Sequence, residues 1–245
     1  TITLNVPTDV VPEDTRLEVL NVHQRDKHSL AEKLYSPQLA LTPAVYELEA
    51  LSSGDVIADK LADKIELTLP YKTNGDGNVA DLNGNQLAAN GLRLYKFDSV
   101  LGEWIPIKST VNLEEQTVSG FVDSFGIYGL AGGTAMPTTY LTDVKLSANP
   151  LAPGSSGVRG QTVFKFGLSH DSKVSLTIYD RSGRQISKLL DNEVFSAGYN
   201  GFAWDGLISG RKLSSGIYLY RLFATSIDPN FEGNHWVSGV IGIIE

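Results

Sequence analysis

Cysteine is absent from the 245 residues and methionine occurs once. Without a thiol there is no disulfide framework, no thiolate nucleophile and none of the common structural zinc sites. That absence leaves the compartment open, since large secreted bacterial proteins often dispense with cysteine too. Histidine is scarce: His23, His28, His170 and His235 lie far apart. None stands in a His-x-x-x-His or His-Glu-x-x-His spacing, so they read as solvated loop residues rather than zinc ligands or general bases. Positive charge is in the minority, with 20 Lys and Arg against 28 Asp and Glu, a net charge of −8 and a pI near 5.0. Such a surface attracts neither phosphate backbones nor anionic headgroups, so nucleic acid and bare membrane are not expected partners. No run approaches the roughly 18 apolar residues of a membrane-spanning helix. The apolar tail from Trp236 to Ile244 is interrupted by Ser238, Gly239 and Gly242. No basic segment leads into an apolar one, and a start at Thr1 reads as a processed or excised piece.

Catalytic patterns are thin as well. A nucleophile elbow needs Gly-x-Ser-x-Gly, whereas Gly154-Ser155-Ser156-Gly157 is one residue short and follows Pro153. No feature singles out two of the many acids as a glycosidase pair. The expectation is a chain without enzymatic activity.

What the chain does have is enough apolar material for a core, 42% hydrophobic against 20% charged residues, and enough length for two domains of about 100 to 130 residues. The strongest break is Gly132-Gly133-Thr134-Ala135-Met136-Pro137-Thr138-Thr139, which has no apolar period. It divides the chain into residues 1–131, a linker at 132–140, and residues 141–245. Before it, short β-branched and aromatic runs recur at Ile2 to Val6, Arg16 to Val22, Val45 to Ala50, Lys64 to Leu69, Leu92 to Phe97, Thr117 to Val122 and Ile127 to Leu130. After it they return at Val144 to Leu146, Thr162 to Phe166, Lys173 to Tyr179, Gln185 to Leu190, Gly201 to Trp204, Gly216 to Ala224 and Trp236 to Ile243. Alternation such as Ile65, Leu67 and Leu69 against Glu66 and Thr68 places one face in a core and the other in water. Only Leu30 to Leu34 and Val56 to Ala62 carry a helical signal, a turn or two each. The predicted class is therefore all-β, two tandem β-sandwich (immunoglobulin-like) domains.

Several stretches of the second half occur in a telling order. They are Asn149-Pro150, Thr162 to Leu168, Val174-Ser175-Leu176-Thr177-Ile178-Tyr179-Asp180-Arg181-Ser182-Gly183-Arg184, Ala197-Gly198-Tyr199, Trp204-Asp205-Gly206, and Leu213 through Gly216-Ile217-Tyr218-Leu219-Tyr220. This series resembles the immunoglobulin-like domain of the flagellar hook-capping protein FlgD and the related C-terminal sorting domains of the type IX secretion system, over residues 141–245. In the residues themselves, Ile178 to Ile186 reads as a hairpin with Gly183 at positive φ, and Trp204 as a core plug at a strand end. Sorting domains of that system end in a short basic, β-branched segment. This chain instead inserts Asp228 to His235 and ends Ile243-Ile244-Glu245. The resemblance therefore implies the fold more than an export role, and with no hook-assembly region in view it implies no flagellar cap.

The first half offers Ile2-Thr3-Leu4-Asn5-Val6-Pro7, Thr15 to Val19, Ala44 to Leu48, Asp63 to Tyr71, Leu94 to Asp98, Gly102-Glu103-Trp104-Ile105-Pro106-Ile107 and Ser124-Phe125-Gly126-Ile127-Tyr128. In that order they resemble the ZU-type β-sandwich of zonula-occludens and netrin-receptor proteins, in its bacterial surface-protein form, over residues 1–131. Some eukaryotic relatives cleave themselves at a His-Phe-Ser step. The matching place here reads Ser124-Phe125-Gly126, which lacks the hydroxyl nucleophile and its imidazole.

One constellation points to a metal. Asn74, Asp76, Asn78 and Asp81 place side-chain oxygens among glycines, as in the first part of a calcium loop, and Ca²⁺ takes about six to eight such hard ligands. Asn-Gly and Asp-Gly are equally ordinary turn pairs, and Asn85 stands where a bidentate Glu would close the site. Both readings stay open. Trp104, Trp236, Tyr199 and Tyr35 are the candidate aromatics for stacking on carbohydrate or protein. Together the two resemblances imply a secreted or cell-surface bacterial protein whose partners are other domains of the same polypeptide or a surface or secretion protein, with carbohydrate as an alternative.

Overall fold

Period-two burial organises both halves of the chain. The computed structural model describes residues 1–7, 10–11, 15–52, 55–56, 60–133, 140–155 and 159–244, which divide into two units, Thr1–Ala135 and Met136–Glu245.

In the first unit the elements run β1 (Thr3–Asn5), β2 (Arg16–Asn21), α1 (Gln24–Ala31), β3 (Leu39–Ser52), β4 (Asp55–Val56), β5 (Lys60–Pro70), β6 (Asn78–Ala80), β7 (Gln86–Ala88), β8 (Arg93–Asp98), β9 (Glu103–Pro106), β10 (Ser109–Asn112), β11 (Thr117–Ser124) and β12 (Gly126–Gly133). They build an antiparallel sheet in the order β1-β5-β11-β10 and a second in the order β2-β3-β12-β8-β9, with β4 beside β3. Ile65, Leu67 and Leu69 of β5 are buried against Leu48, Leu94, Tyr128 and Leu130 of the facing sheet. The Tyr128 hydroxyl donates to the Ser124 carbonyl at 2.6 Å, and burial pushes its ionisation well above the usual phenol range.

The outer face of the second sheet is covered as well. Val45, Tyr95 and Trp104 are fully buried there, and a Cβ at Gly129 would come within 3.2 Å of the Trp104 ring. The cover includes α1. Trp104 Nε1 donates to the Leu30 carbonyl at 2.8 Å, and Lys27 Nζ donates to Asn21 Oδ1 at 2.7 Å and to the Pro43 carbonyl at 2.6 Å. Pro43 is accommodated inside β3 because the pairing with β12 shifts register between Gly129 and Ala131, and a residue in such a bulge needs no ladder N–H. Burial lowers the Lys27 pKa from its ordinary value.

Three expectations are corrected here. The helical signal at Leu30 to Leu34 overlaps only the end of α1, which runs from Gln24 to Ala31 with the His23 ring accepting the Arg25 N–H; a turn follows. The segment Val56 to Ala62 is not a helical turn where it is described: Val56 closes β4 and residues 60–62 open β5, with Leu61 buried in the core. Pairing in the sheet outweighs a weak local helix preference; residues 57–59 lie outside the described residues. The expected linker 132–140 starts inside a strand, since Gly132 and Gly133 extend β12 and pair with Ala40 and Leu39. Glycine tolerates this crowded place, where a Cβ at Gly132 would come within 3.1 Å of Leu92. Residues 134–139 lie outside the described residues.

The second unit comprises β13 (Leu141–Leu146), β14 (Thr162–Leu168), β15 (Ser172–Tyr179), β16 (Gln185–Phe195), β17 (Gly198–Trp204), β18 (Leu207–Ile208), β19 (Arg211–Lys212), β20 (Gly216–Ser226) and β21 (Asn234–Ile243). A sheet β13-β14-β17 faces a sheet β16-β15-β20-β21, an immunoglobulin-like arrangement. Phe164, Phe166 and Leu168 meet Val174, Leu176, Ile178 and Leu222 between them. Phe164 lies edge-on to Tyr220 at 5.2 Å, and Phe166 to Phe195 at 5.4 Å. Trp204 ends β17 as a buried plug, its Nε1 donating to the Leu207 carbonyl at 3.0 Å. The expected hairpin at Asp180 is present, with Gly183 at φ 80°. Among the described residues no helix is long and apolar enough to cross a membrane.

Candidate functional site

The loop proposed for calcium folds as two successive turns. Asn74 Oδ1 accepts the backbone N–H groups of Asp76 and Asn78 at 3.0 and 2.9 Å, and its Nδ2 donates to Gln86 Oε1 at 2.8 Å. Asp81 repeats the device: its Oδ1 accepts from the Asn83 and Asn85 N–H groups at 2.8 Å each, and its Oδ2 from Asn85 Nδ2 at 2.9 Å. Gly77 and Gly84 take the left-handed positions at φ 75° and 86°. The strand between the turns then separates the candidates. Val79 and Asp81 face inward and are buried, while Asn78 and Ala80 lie on the opposite face of the β6–β7 ribbon. Asn74, Asp76 and Asn78 therefore belong to the first turn and Asp81 to the second, where its oxygens accept from Asn83 and Asn85. Among the described residues no group of three or more His, Cys, Asp or Glu side chains is placed to hold a metal ion.

The histidines are dispersed too. His23 caps α1 and His28 lies within it. His235 sits in β21, and the His170 ring stacks on Phe231 at 3.9 Å with an interplanar angle of 4°. His28 and His235 thus lie in regular elements rather than in the loops expected of them. Ser124, at the place matching the self-cleaving step, takes a hydrogen bond from Lys96 Nζ at 2.6 Å and donates its own to Asp123 Oδ1 at 2.8 Å. A hydroxyl held between an ammonium and a carboxylate in this way is a structural link between β8 and β11. Nothing local in the sequence signals it, because Lys96 and Ser124 are distant along the chain.

Two clefts flank α1. The larger, about 470 Å³, lies between the helix and the sheet face and is lined by Leu20, His23, Asp26, Leu30, Glu47 and Ile127. Leu20, Glu47 and Ile127 stand in one row across β2, β3 and β12. Burial, and then the neighbouring Glu49, push the Glu47 carboxyl above its ordinary range. No hydrogen bond to that carboxylate is found among the described residues.

The four aromatics offered for stacking separate sharply. Trp104 and Tyr199 are buried, Tyr35 is half-buried, and only Trp236, at 53% exposure, presents its ring to solvent. Trp236 belongs to a larger surface, the outer face of the β16-β15-β20-β21 sheet. There Ile217, Leu219 and Val240 are also exposed, with Leu219 opposite Val240 and beside Tyr179. The Arg221 guanidinium lies 4.9 Å from the Trp236 ring centroid and 6.0 Å from that of Tyr179. Alternation in β20 and β21 contained this face, but only the pairing of the two strands shows that the exposed members are neighbours.

No family model matches the chain, and no curated protein does. Among solved structures that match is dimeric latent PorU from Porphyromonas gingivalis, at 13% identity and a TM-score of 0.33, over 77% of this chain and 18% of that one. The chain thus spans less than a fifth of that protein's length, and a TM-score so low does not define a shared fold.

Two outcomes follow from the geometry. Replacing Asp81 with Ala strands three donors and should cost about 1–3 kcal/mol in urea denaturation. Millimolar calcium should leave the melting temperature of the parent chain unchanged, and a calcium-dependent rise lost in the variant would restore the metal loop. For Glu47, a raised pKa in the folded state favours the protonated form, so its contribution is best below the ordinary carboxylate pKa and is lost as the pH rises. Glu47→Gln should therefore raise the melting temperature near neutral pH, with the gain vanishing toward about pH 4. An equal gain at both pH values would show that the charge is not the cause.

Proposed function

We propose that this chain is a non-catalytic tandem β-sandwich region of a secreted or cell-surface bacterial protein, serving as an assembly or attachment module as well as a spacer. The outer face of the β16-β15-β20-β21 sheet is its contact surface. The observation that carries this reading is the clustering of Ile217, Leu219, Trp236 and Val240 on one sheet face, with Arg221 laid over Trp236. Exposed apolar residues on one face together with an aromatic and an arginine are the composition of protein contact sites. The polar candidates serve the fold: Asn74 and Asp81 cap turns and Ser124 links two strands. The partner expected is another domain of the same polypeptide or a surface or secretion protein. A carbohydrate-binding reading is favoured by one observation, the exposed ring of Trp236.

The test is retention. The whole chain is fused to a secreted reporter in a bacterium that has a type IX secretion system, and compared with a form carrying Trp236→Ala and Leu219→Thr. The reporter should stay at the surface with the parent chain and pass into the medium with the variant. Equal retention of both would remove the face from the account. Loss of pull-down on an insoluble polysaccharide, with surface retention intact, would favour the carbohydrate reading instead.

A further inference from the structure

β16 and β21 are the two outer strands of one sheet, and they are finished differently. An outer strand carries free N–H and C=O groups that template another strand, and soluble proteins blunt such edges with bulges and charges. β16 is blunted. Its pairing with β15 slips register at Val174/Leu176, Leu176/Thr177 and Ile178/Tyr179. Asn192 takes φ 54°, and Lys188, Asp191 and Glu193 line the strand. β21 has none of this. It pairs with β20 from Asn234 to Ile243 without a register shift, and no charged residue or proline occurs from Trp236 to Ile243.

Part of that edge is already occupied by the chain itself. Asn149 Oδ1 accepts the Gly242 N–H at 2.9 Å, and Asn149 Nδ2 donates to the Val240 carbonyl at 2.9 Å. The Leu151 N–H donates to the Gly242 carbonyl at 2.8 Å and the Ile244 N–H to the Leu151 carbonyl at 2.9 Å. Leu151 thereby lies parallel to Ile243 as a short added strand. These bonds fix which residues face outward. In an antiparallel ladder the outward-facing residues recur at every second position. The N–H and C=O of Trp236 and Ser238 and the N–H of Val240 therefore face the same open side. No partner for them is found among the described residues.

We propose that the open half of β21, from Asn234 to Val240, is a docking edge completed by an extended peptide segment of a partner protein, uncharged and free of proline where it pairs. This deepens the assembly reading, on which it rests, by naming how the partner is held. A peptide fits because the free groups alternate donor and acceptor at strand spacing, and because Asn149 to Leu151 already engages the same edge in the same way. Strand addition draws affinity from the backbone and specificity from alternate side chains. Trp236 and Val240, exposed beside the edge, would receive those of the added strand.

The probe is the acetylated, amidated peptide Thr-Val-Thr-Val-Thr-Val, against the same peptide N-methylated at every residue, so that neither of its edges can donate. Binding to the whole chain is followed by amide chemical shifts. The unmodified peptide should move the Trp236, Ser238 and Val240 amides, and the N-methylated one should bind roughly tenfold more weakly or worse. Ser238→Pro removes an N–H that β20 does not use and should weaken binding similarly. The N-methylated arm decides the matter should that variant not fold. Equal binding of both peptides would overturn strand addition while leaving the outer face as a contact surface. Shifts confined to β16, or none at about 1 mM peptide, would overturn it outright. Concentration-dependent shifts at Trp236 and Ser238 without peptide would replace the partner with a second copy. Failure of the assembly reading itself is read separately, in reporter retention.

Discussion

Every part of this structure depends on where backbone N–H and C=O groups find partners once strands leave the ladder. Each strand reversal strands such groups, and a buried or half-buried one left unmet costs about as much as a lost hydrogen bond. The chain meets the problem repeatedly with one device. Asn74, Asp81 and Asp180 each use one side-chain oxygen to accept the N–H groups two and four residues onward, with a glycine at positive φ between them. Asp98 and Asn112 use a related form, accepting the N–H groups two and three residues onward, from Val100 and Leu101 and from Glu114 and Glu115. At Asp180 the Arg184 N–H, above all, holds the carboxyl below its ordinary range. With the reversals fixed, register is fixed, and register decides which alternate residues enter each core.

The same device explains how much was legible in the sequence. Strands of six or more residues show their alternation, so β5, β15 and β20 could be read directly, as could the Gly183 hairpin and the Trp204 plug. Strands of two or three residues, such as β6, β7, β18 and β19, have no period to show. The calcium-like pattern was ambiguous because turn-capping oxygens and metal-binding oxygens are the same residue types at similar spacing. The strand of Asn78–Ala80 turns Asp81 inward, so the turn-capping role of its oxygens shows only once that strand is placed. The burial of Trp104 is hidden in the sequence for a different reason. It points away from the main core, and its cover includes a helix, α1, whose sequence is largely polar and whose hold comes from Lys27 and the Leu30 carbonyl.

The candidate function lies where the device stops. One edge of the second unit is broken by bulges and charges, and half of the other is closed by Asn149 and Leu151. What remains open stands beside an exposed tryptophan whose ring is covered by an arginine. An uncharged, regular edge next to an apolar face is a hazard in a solitary domain. In a module built to be joined it is a place of contact.

Amide hydrogen exchange of the free chain tests this most directly. The amides of Asn78, Asn85, Arg184 and Gly242, each taken by a side-chain oxygen, should exchange slowly, as should those of Val237, Gly239 and Ile241 facing β20. The amides of Trp236, Ser238 and Val240 should exchange fast although they lie in the same strand. Uniform protection along β21 would contradict an open edge. Fast exchange at the turn amides would contradict the side-chain capping on which the fold is argued.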